Sequence, residues 1–134
     1  MAEQWTGDEL AAIGAAEELE ITSRGPGGEL RKLIPIWVVR VGDGLYVRSA
    51  YGPESGWYRR AVESGSGYVR AGGVEGDVRF EHVDAADAVH ADLDAEYHRK
   101  YDRFGEKIVG TVVGPEVRGV TLRLERAGDQ TDAG

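Results

Sequence analysis

Apolar residues near the N-terminus recur at helical spacing. Leu10, Ile13 and Ala16 share one face behind a Thr6/Glu9 capping box, with Trp5 placed to staple onto Leu10. This predicts a first helix from about Gly7 to Glu18. Glu20 to Arg24 reads as a strand, stopped by the turn Gly25-Pro26-Gly27-Gly28. Leu33 to Val41 is an apolar run rich in β-branched residues that turns at Gly42-Asp43-Gly44 into Leu45–Ala50, which predicts a hairpin at the heart of a sheet. Pro35 has no amide hydrogen to give to a ladder, so the strand begins there or lies at an edge or bulge.

A second, shorter helix is expected to start near Pro53 or Ser55 and to run through Trp57-Tyr58-Arg59-Arg60-Ala61-Val62, with Trp57 and Val62 facing inward and Gly65 closing it. Tyr68–Ala71 and Asp77–Val83 form a further hairpin around Gly72-Gly73. Ala86, Val89, Leu93, Tyr97 and Tyr101 then line one face of a longer helix from about Asp84 to Arg103. Ile108–Val113 is an apolar connection, and Val117–Leu124 reads as the last strand. Antiparallel strands joined by tight turns, with one small helix inserted and one longer helix late in the chain, predict an α+β small barrel. No G-x-G-x-x-G lies between a strand and a long helix, which disfavours a parallel dinucleotide-binding sheet.

The chain has 134 residues, 41% hydrophobic and 30% charged, as expected for one domain, here taken as 1–126 with a disordered tail over 127–134. No apolar run approaches a membrane span and the N-terminal residues lack a secretory pattern, so the expected compartment is the cytoplasm, with no membrane partner. The absence of cysteine removes thiol chemistry, disulfides and cysteine-held metals. Charge changes the picture most. The net charge is −8, yet residues 30–73 hold seven Arg/Lys against three Asp/Glu. An island of that size suits one anionic ligand, whereas nucleic acid would need a broad basic face.

Two segments within or beside the island carry the chemistry. In the first, Ser23 and Arg24 lead into a glycine turn with Gly27 and Gly28, followed by Arg31 and Lys32. Its amides can form an anion nest and its cations can pair with phosphate, although a solvated hairpin has the same composition. In the second, Arg48-Ser49-Ala50-Tyr51 ends a strand in small residues, and Trp57-Tyr58-Arg59 opens a helix. Small side chains let a ring approach the backbone, and the helix start favours an anion. Trp57 also suits the core. His90, Asp94 and His98 recur every four residues on the third helix, but such a row drifts about 40° per step, and no metal site is assigned. His82 is read as structural.

In these segments the chain resembles the split-barrel flavin and deazaflavin proteins, near the deazaflavin-dependent nitroreductase branch. The matching order is Thr22-Ser23-Arg24, the turn to Lys32, Pro35-Ile36-Trp37-Val38-Val39, Leu45 to Ala50, Trp57 to Val62, then Gly67-Tyr68-Val69-Arg70. It covers residues 20–83 and recurs weakly to Leu124. The chain looks still more like a group of small uncharacterised bacterial proteins classed near that superfamily. Its turn departs from the nitroreductase pattern, with Gly-Pro-Gly-Gly in place of a basic-Ser-Gly sequence.

The resemblance implies a small antiparallel split barrel binding FMN or a deazaflavin through Ser23, Arg24, Gly27, Gly28, Arg31, Lys32, Pro35, Arg48, Ser49, Ala50, Tyr51, Trp57, Tyr58 and Arg59. It also implies a substrate pocket lined by Trp37, Tyr97 and Tyr101. Three readings stay open: a flavin- or deazaflavin-dependent oxidoreductase acting on a small organic substrate, a binding module without turnover, and an assembly protein that has lost its pocket. A homodimer is compatible with each.

Overall fold

The computed structural model describes residues 5–127. Helix α1 (Gly7–Ala15) is fixed by the capping box, since Thr6 accepts from the Glu9 amide and Glu9 accepts from the Thr6 amide. It stops before Glu18 because Ala16 is already extended. Seven strands follow: β1 (Leu19–Ser23), β2 (Ile34–Ile36), β3 (Val39–Val41), β4 (Gly44–Arg48), β5 (Ser66–Ala71), β6 (Val74–His82) and β7 (Thr121–Arg126). Between them lie α2 (Gly56–Ser64), α3 (Val89–Tyr101) and the single turn α4 (Glu106–Val109). Among the described residues, no helix is long and apolar enough to cross a membrane.

The strands form one antiparallel sheet in the order β2-β1-β5-β6-β7-β4-β3. Laid flat, seven strands would separate the two edges by about 29 Å. The chain leaves one edge at Ile36 and joins the other at Val39, a reach of at most about 11 Å. The sheet must therefore curl into a half-barrel, with Trp37 and Val38 bridging the split. The expected hairpin through Gly42-Asp43-Gly44 is present as β3–β4, but it lies at an edge of the sheet, and the expected single strand over Leu33–Val41 is corrected: the run is two strands on opposite edges. Its first part pairs with β1 (Glu20 opposite Pro35) and its second with β4 (Val39 opposite Tyr46). Pro35 does sit on an edge strand, where its missing donor costs no ladder bond.

Val38, at the seam, lies outside both strands, and α3 satisfies its backbone. The Val38 amide donates to the Tyr101 hydroxyl at 3.2 Å, and the Val38 carbonyl accepts from Lys100 Nζ at 2.6 Å. Tyr101 also donates to the Glu17 carbonyl at 2.7 Å. One core cluster fills the barrel beneath α1 and α2; a second packs α3 against β3 and β4 through Leu93, Tyr97 and Tyr101.

Several element boundaries differ from expectation. On α2, Tyr58 and Ala61 face in, while Val62 is 52% exposed. Helix α3 starts at Val89 because the Asp84 and Asp87 carboxylates cap the Ala86 and Val89 amides in local turns. The last strand begins at Thr121, since Pro115–Val120 forms a 3-10 helix after Gly114 (φ 96°). The expected tail beyond Ala127 lies outside the described residues; Ala127 itself donates to the Asp77 carbonyl at 3.0 Å.

Candidate functional site

Three neighbouring depressions, together called the groove, lie along α2 and the β2 edge. The cationic end is a cleft of about 380 Å³ between the Gly25–Gly28 turn and the C-terminal part of α2, lined by Arg24, Gly28, Arg31 and Arg60 together with Glu63. A narrow notch shares Arg31 and Arg60 with this cleft and continues past Ser23 and Lys32 to Trp57. Trp57 is also a wall of the third part, a cleft of about 300 Å³ at the barrel split, against Pro35, Trp37, Ala50 and Tyr51. Both larger clefts have volumes usual for small-ligand sites.

The cations of the groove are not equivalent. Arg24 is tied down: Nη1 donates to the Gly28 carbonyl at 2.8 Å and Nη2 pairs with Asp77. Among the described residues, Arg31, Lys32 and Arg60 form no ion pair with a carboxylate. The turn is less available as a nest than its sequence suggests. The Gly25 amide donates to the Glu29 carbonyl at 2.7 Å and the Gly28 amide to the Gly25 carbonyl at 2.9 Å. The Glu29 carboxylate lies over Gly25 and Gly27, 2.9 Å from where a Cβ on Gly27 would sit. Any anion held at this end therefore meets side-chain cations more than turn amides.

Arg48 reaches the wall of the split cleft but is enclosed. Its side chain is fully buried: Nε donates to Thr121 Oγ1 at 3.0 Å, and Nη1 to Asp94 Oδ1 at 2.6 Å and the Val112 carbonyl at 2.8 Å. Nη2 lies 3.0 Å from His90 Nδ1. Arginine has only donors, so His90 Nδ1 accepts and its Nε2–H donates to the Asp84 carbonyl at 2.8 Å. His90 and Asp94 thus serve Arg48, whereas His98 pairs with Asp102. His82 is bound to the Gly119 carbonyl at 2.8 Å. Among the described residues, no three His, Asp or Glu side chains cluster as metal ligands.

The remaining sequence candidates fall into two groups. Pro35, Trp37, Ala50, Tyr51 and Trp57 come together at the split, with Tyr51 84% exposed. Ser49, Tyr58, Tyr97 and Tyr101 are buried. The Ser49 hydroxyl closes the following loop on the Gly52 carbonyl at 2.6 Å, and Tyr58 donates to the Gly119 carbonyl at 3.1 Å. Trp37 stacks on Tyr101 with ring centroids 3.9 Å apart, so one face of the indole is spoken for. Burial holds the Tyr101 phenol up at about 12 and pushes that of Tyr97 higher. Arg59 is exposed and lines neither cleft. Arg60 went unassigned in the sequence, although its i+3 spacing from Trp57 places both on one helix face. Ile108 and Val112, from the apolar connection, complete the far wall of the split cleft.

A curled antiparallel sheet split at Trp37-Val38, with clefts at and beside that split, defines a split-barrel fold. The fold matches the heme storage protein HutZ from Vibrio cholerae with a TM-score of 0.62 and 11% identity, over 95% of this chain and 92% of that one. It also matches a FAD-binding protein from Mesorhizobium loti (TM-score 0.53, 13% identity, 94% and 93% covered). For the FAD and heme binding protein from Mycobacterium smegmatis the TM-score is 0.52 at 18% identity, covering 93% of this chain and 67% of that one. No curated protein matches the sequence. Residues 9–124 match the model of a family of uncharacterised proteins conserved in bacteria (DUF2255), and the chain belongs to that family.

Proposed function

We propose that the groove binds a phosphorylated cofactor with a flat ring, FMN or a deazaflavin, and that the protein is a reductase of small organic substrates, close in kind to the nitroreductases it resembles. The observation that carries this reading is the succession of clefts along α2: Arg31, Lys32 and Arg60, without an ion-pair partner among the described residues, at one end, and a largely apolar cleft against Pro35, Ala50 and Trp57 at the other. That arrangement suits a molecule with an anionic tail and an apolar plane, and the matched folds are named for binding FAD or heme.

Within this reading Arg31, Lys32 and Arg60 hold the phosphate by charge-assisted bonds. Trp57 and Pro35 flank the ring, and Ala50 leaves room for it. Trp37, stacked on Tyr101, offers its free face to the substrate. Tyr97 and Tyr101 act from behind, fixing α3 and the seam. The bound cofactor would supply hydride chemistry, and the chain's part is to bind, orient and exclude water. The working compartment under this proposal is the cytoplasm.

A binding module without turnover is the second reading, favoured by the burial of Tyr97 and Tyr101, the two phenols expected in the substrate pocket, which leaves neither of them exposed to donate a proton. The absorbance spectrum of freshly purified protein, followed by titration with FMN, a phosphorylated deazaflavin and hemin, tests both. A bound chromophore that a hydride donor reduces and an organic acceptor reoxidises supports the reductase. Tight binding without turnover supports the module, and binding of none of the three removes both.

A further inference from the structure

A second charged cleft, of about 490 Å³, lies between α1 and α3, apart from the groove. Four cations line it, Arg40, Arg99, Lys100 and Arg103, against one carboxylate, Glu96. Two are neutralised in place: Arg99 Nε donates to Glu96 at 2.9 Å, and Arg103 pairs with Glu17 at 2.9 Å. The other two have no carboxylate partner among the described residues. Arg40 gives its Nε to the Gly42 carbonyl at 2.9 Å, and Lys100 gives Nζ to the Val38 carbonyl at 2.6 Å. The remaining donors of both have no protein acceptor among those residues.

The floor is built to hold these cations close to the helix. Ala11, Gly14 and Ala15 present almost no side chain, and a Cβ on Gly14 would lie 3.1 Å from Arg40 Cβ. Glycine at 14 is what lets the Arg40 stem lie along α1. Lys100 is half-buried, with its ammonium 5.0 Å from the centroid of the Tyr101 ring. Two cations in one cleft, one of them half-buried and neither in an ion pair with a carboxylate among the described residues, are arranged for a ligand bearing two negative charges.

We propose that this cleft binds a small dianion, a phosphate monoester or a dicarboxylate, between Arg40 and Lys100. A pH dependence follows from the groups around the ammonium. Glu96, Arg99 and the Tyr101 ring flank it from α3, Arg103 from the 3-10 turn Asp102–Phe104 that follows, Arg40 faces the same cleft from β3, and Glu17 reaches it through Arg103. Burial lowers Lys100 to about 8. An anion favours the charged form, so binding takes up a proton near pH 8 and tightens as the pH falls from 8 to 7.

Titration calorimetry of the intact protein with phenyl phosphate and with succinate, at low salt and pH 7, tests the proposal. One ligand should bind at a 1:1 ratio, the tighter of the two naming the class, with affinity lowered about tenfold or more by Arg40→Gln. Lys100→Gln, whose amide can still donate to Val38, should abolish the buffer-dependent proton heat at pH 8. The Arg31→Ala/Lys32→Ala variant should leave this binding unchanged, which separates the site from the groove. Absence of saturable binding, binding indifferent to Arg40→Gln, or binding lost with Arg31 and Lys32 would each overturn it. Should Lys100→Gln fail to fold, the Arg40 variant alone decides.

Discussion

Arg48, at the end of β4, and Arg31, ahead of β2, both sit beside apolar strands, yet one is enclosed by protein partners and the other stands in an open groove. Arg48 has a carboxylate, a hydroxyl, a carbonyl and an imidazole arranged around it. Arg31, Lys32 and Arg60 have no such partners among the described residues, and they converge on one end of a row of clefts whose other end is largely apolar. Desolvating a guanidinium requires that its donors be met, and the barrel does this for Arg48 and not for Arg31 or Arg60. The difference teaches how to divide a basic island: the cation with internal partners holds the fold, and the cations without them are those a ligand can use.

The sharpest way to break the comparison is Arg48→Met. It leaves Asp94 Oδ1, His90 Nδ1 and the Thr121 hydroxyl without their arginine donor, so unfolding free energy should fall by about 3–5 kcal/mol, read by urea or thermal denaturation. A loss under about 1 kcal/mol would mean that Arg48 is no more structural than Arg31. Gly67→Ala should rank next. Its Cβ would lie 2.0 Å from the Thr22 carbonyl oxygen, so β1 and β5 must part, at a cost of about 1–3 kcal/mol by the same measurement. Ala50→Leu sharpens the other half: it should block ring binding while moving the melting temperature little, since Ala50 packs only partly against the second core cluster. A large drop in melting temperature with intact affinity would assign residue 50 to the core.

The smallest effect concerns Lys100 and its pH window. The folded state holds this ammonium at about 8 against the ordinary 10.5, because burial penalises the charge. The unfolded chain therefore binds more protons between those values, and the Lys100 contribution to stability rises as pH increases from about 8 to about 10.5. Tyr101 acts in the opposite sense above pH 10. Its phenol is held up at about 12, so the folded state keeps a proton the unfolded state loses, and stability falls with further alkalinity. Chemical denaturation of wild type and Lys100→Met across pH 7–10 should show the wild type gaining relative to the variant; a flat difference would mean that solvent screens the half-buried ammonium.

The fold was legible where a signal is local. The Thr6/Glu9 capping box, the turn at Gly72-Gly73 and the Leu93, Tyr97, Tyr101 stripe each depend on residues within a few positions. What could not be read was set by distant partners. Leu33–Val41 looks like one strand because its apolar run is unbroken, and only the closure of the barrel divides it at Trp37-Val38. Arg48 resembles a ligand-binding cation in sequence, and its burial depends on Asp94 and Thr121, 46 and 73 positions away. Arg31 and Lys32 were legible because charge, unlike enclosure, is visible in a sequence. Tyr97 and Tyr101 show the limit: helical spacing gives the face they share, and only packing shows that it meets the barrel wall.

The central claim, that Arg31, Lys32 and Arg60 hold the phosphate of a flat-ringed cofactor, is tested most directly by one titration. FMN and a phosphorylated deazaflavin, each beside its dephosphorylated counterpart, are titrated into wild type and Arg31→Ala/Lys32→Ala at fixed low salt. The account predicts that at least one phosphorylated form binds wild type about tenfold or more tightly than its dephosphorylated counterpart, and that the preference disappears in the double variant while its melting temperature is unchanged. Equal affinity for both forms, or a preference that survives in the double variant, would contradict it.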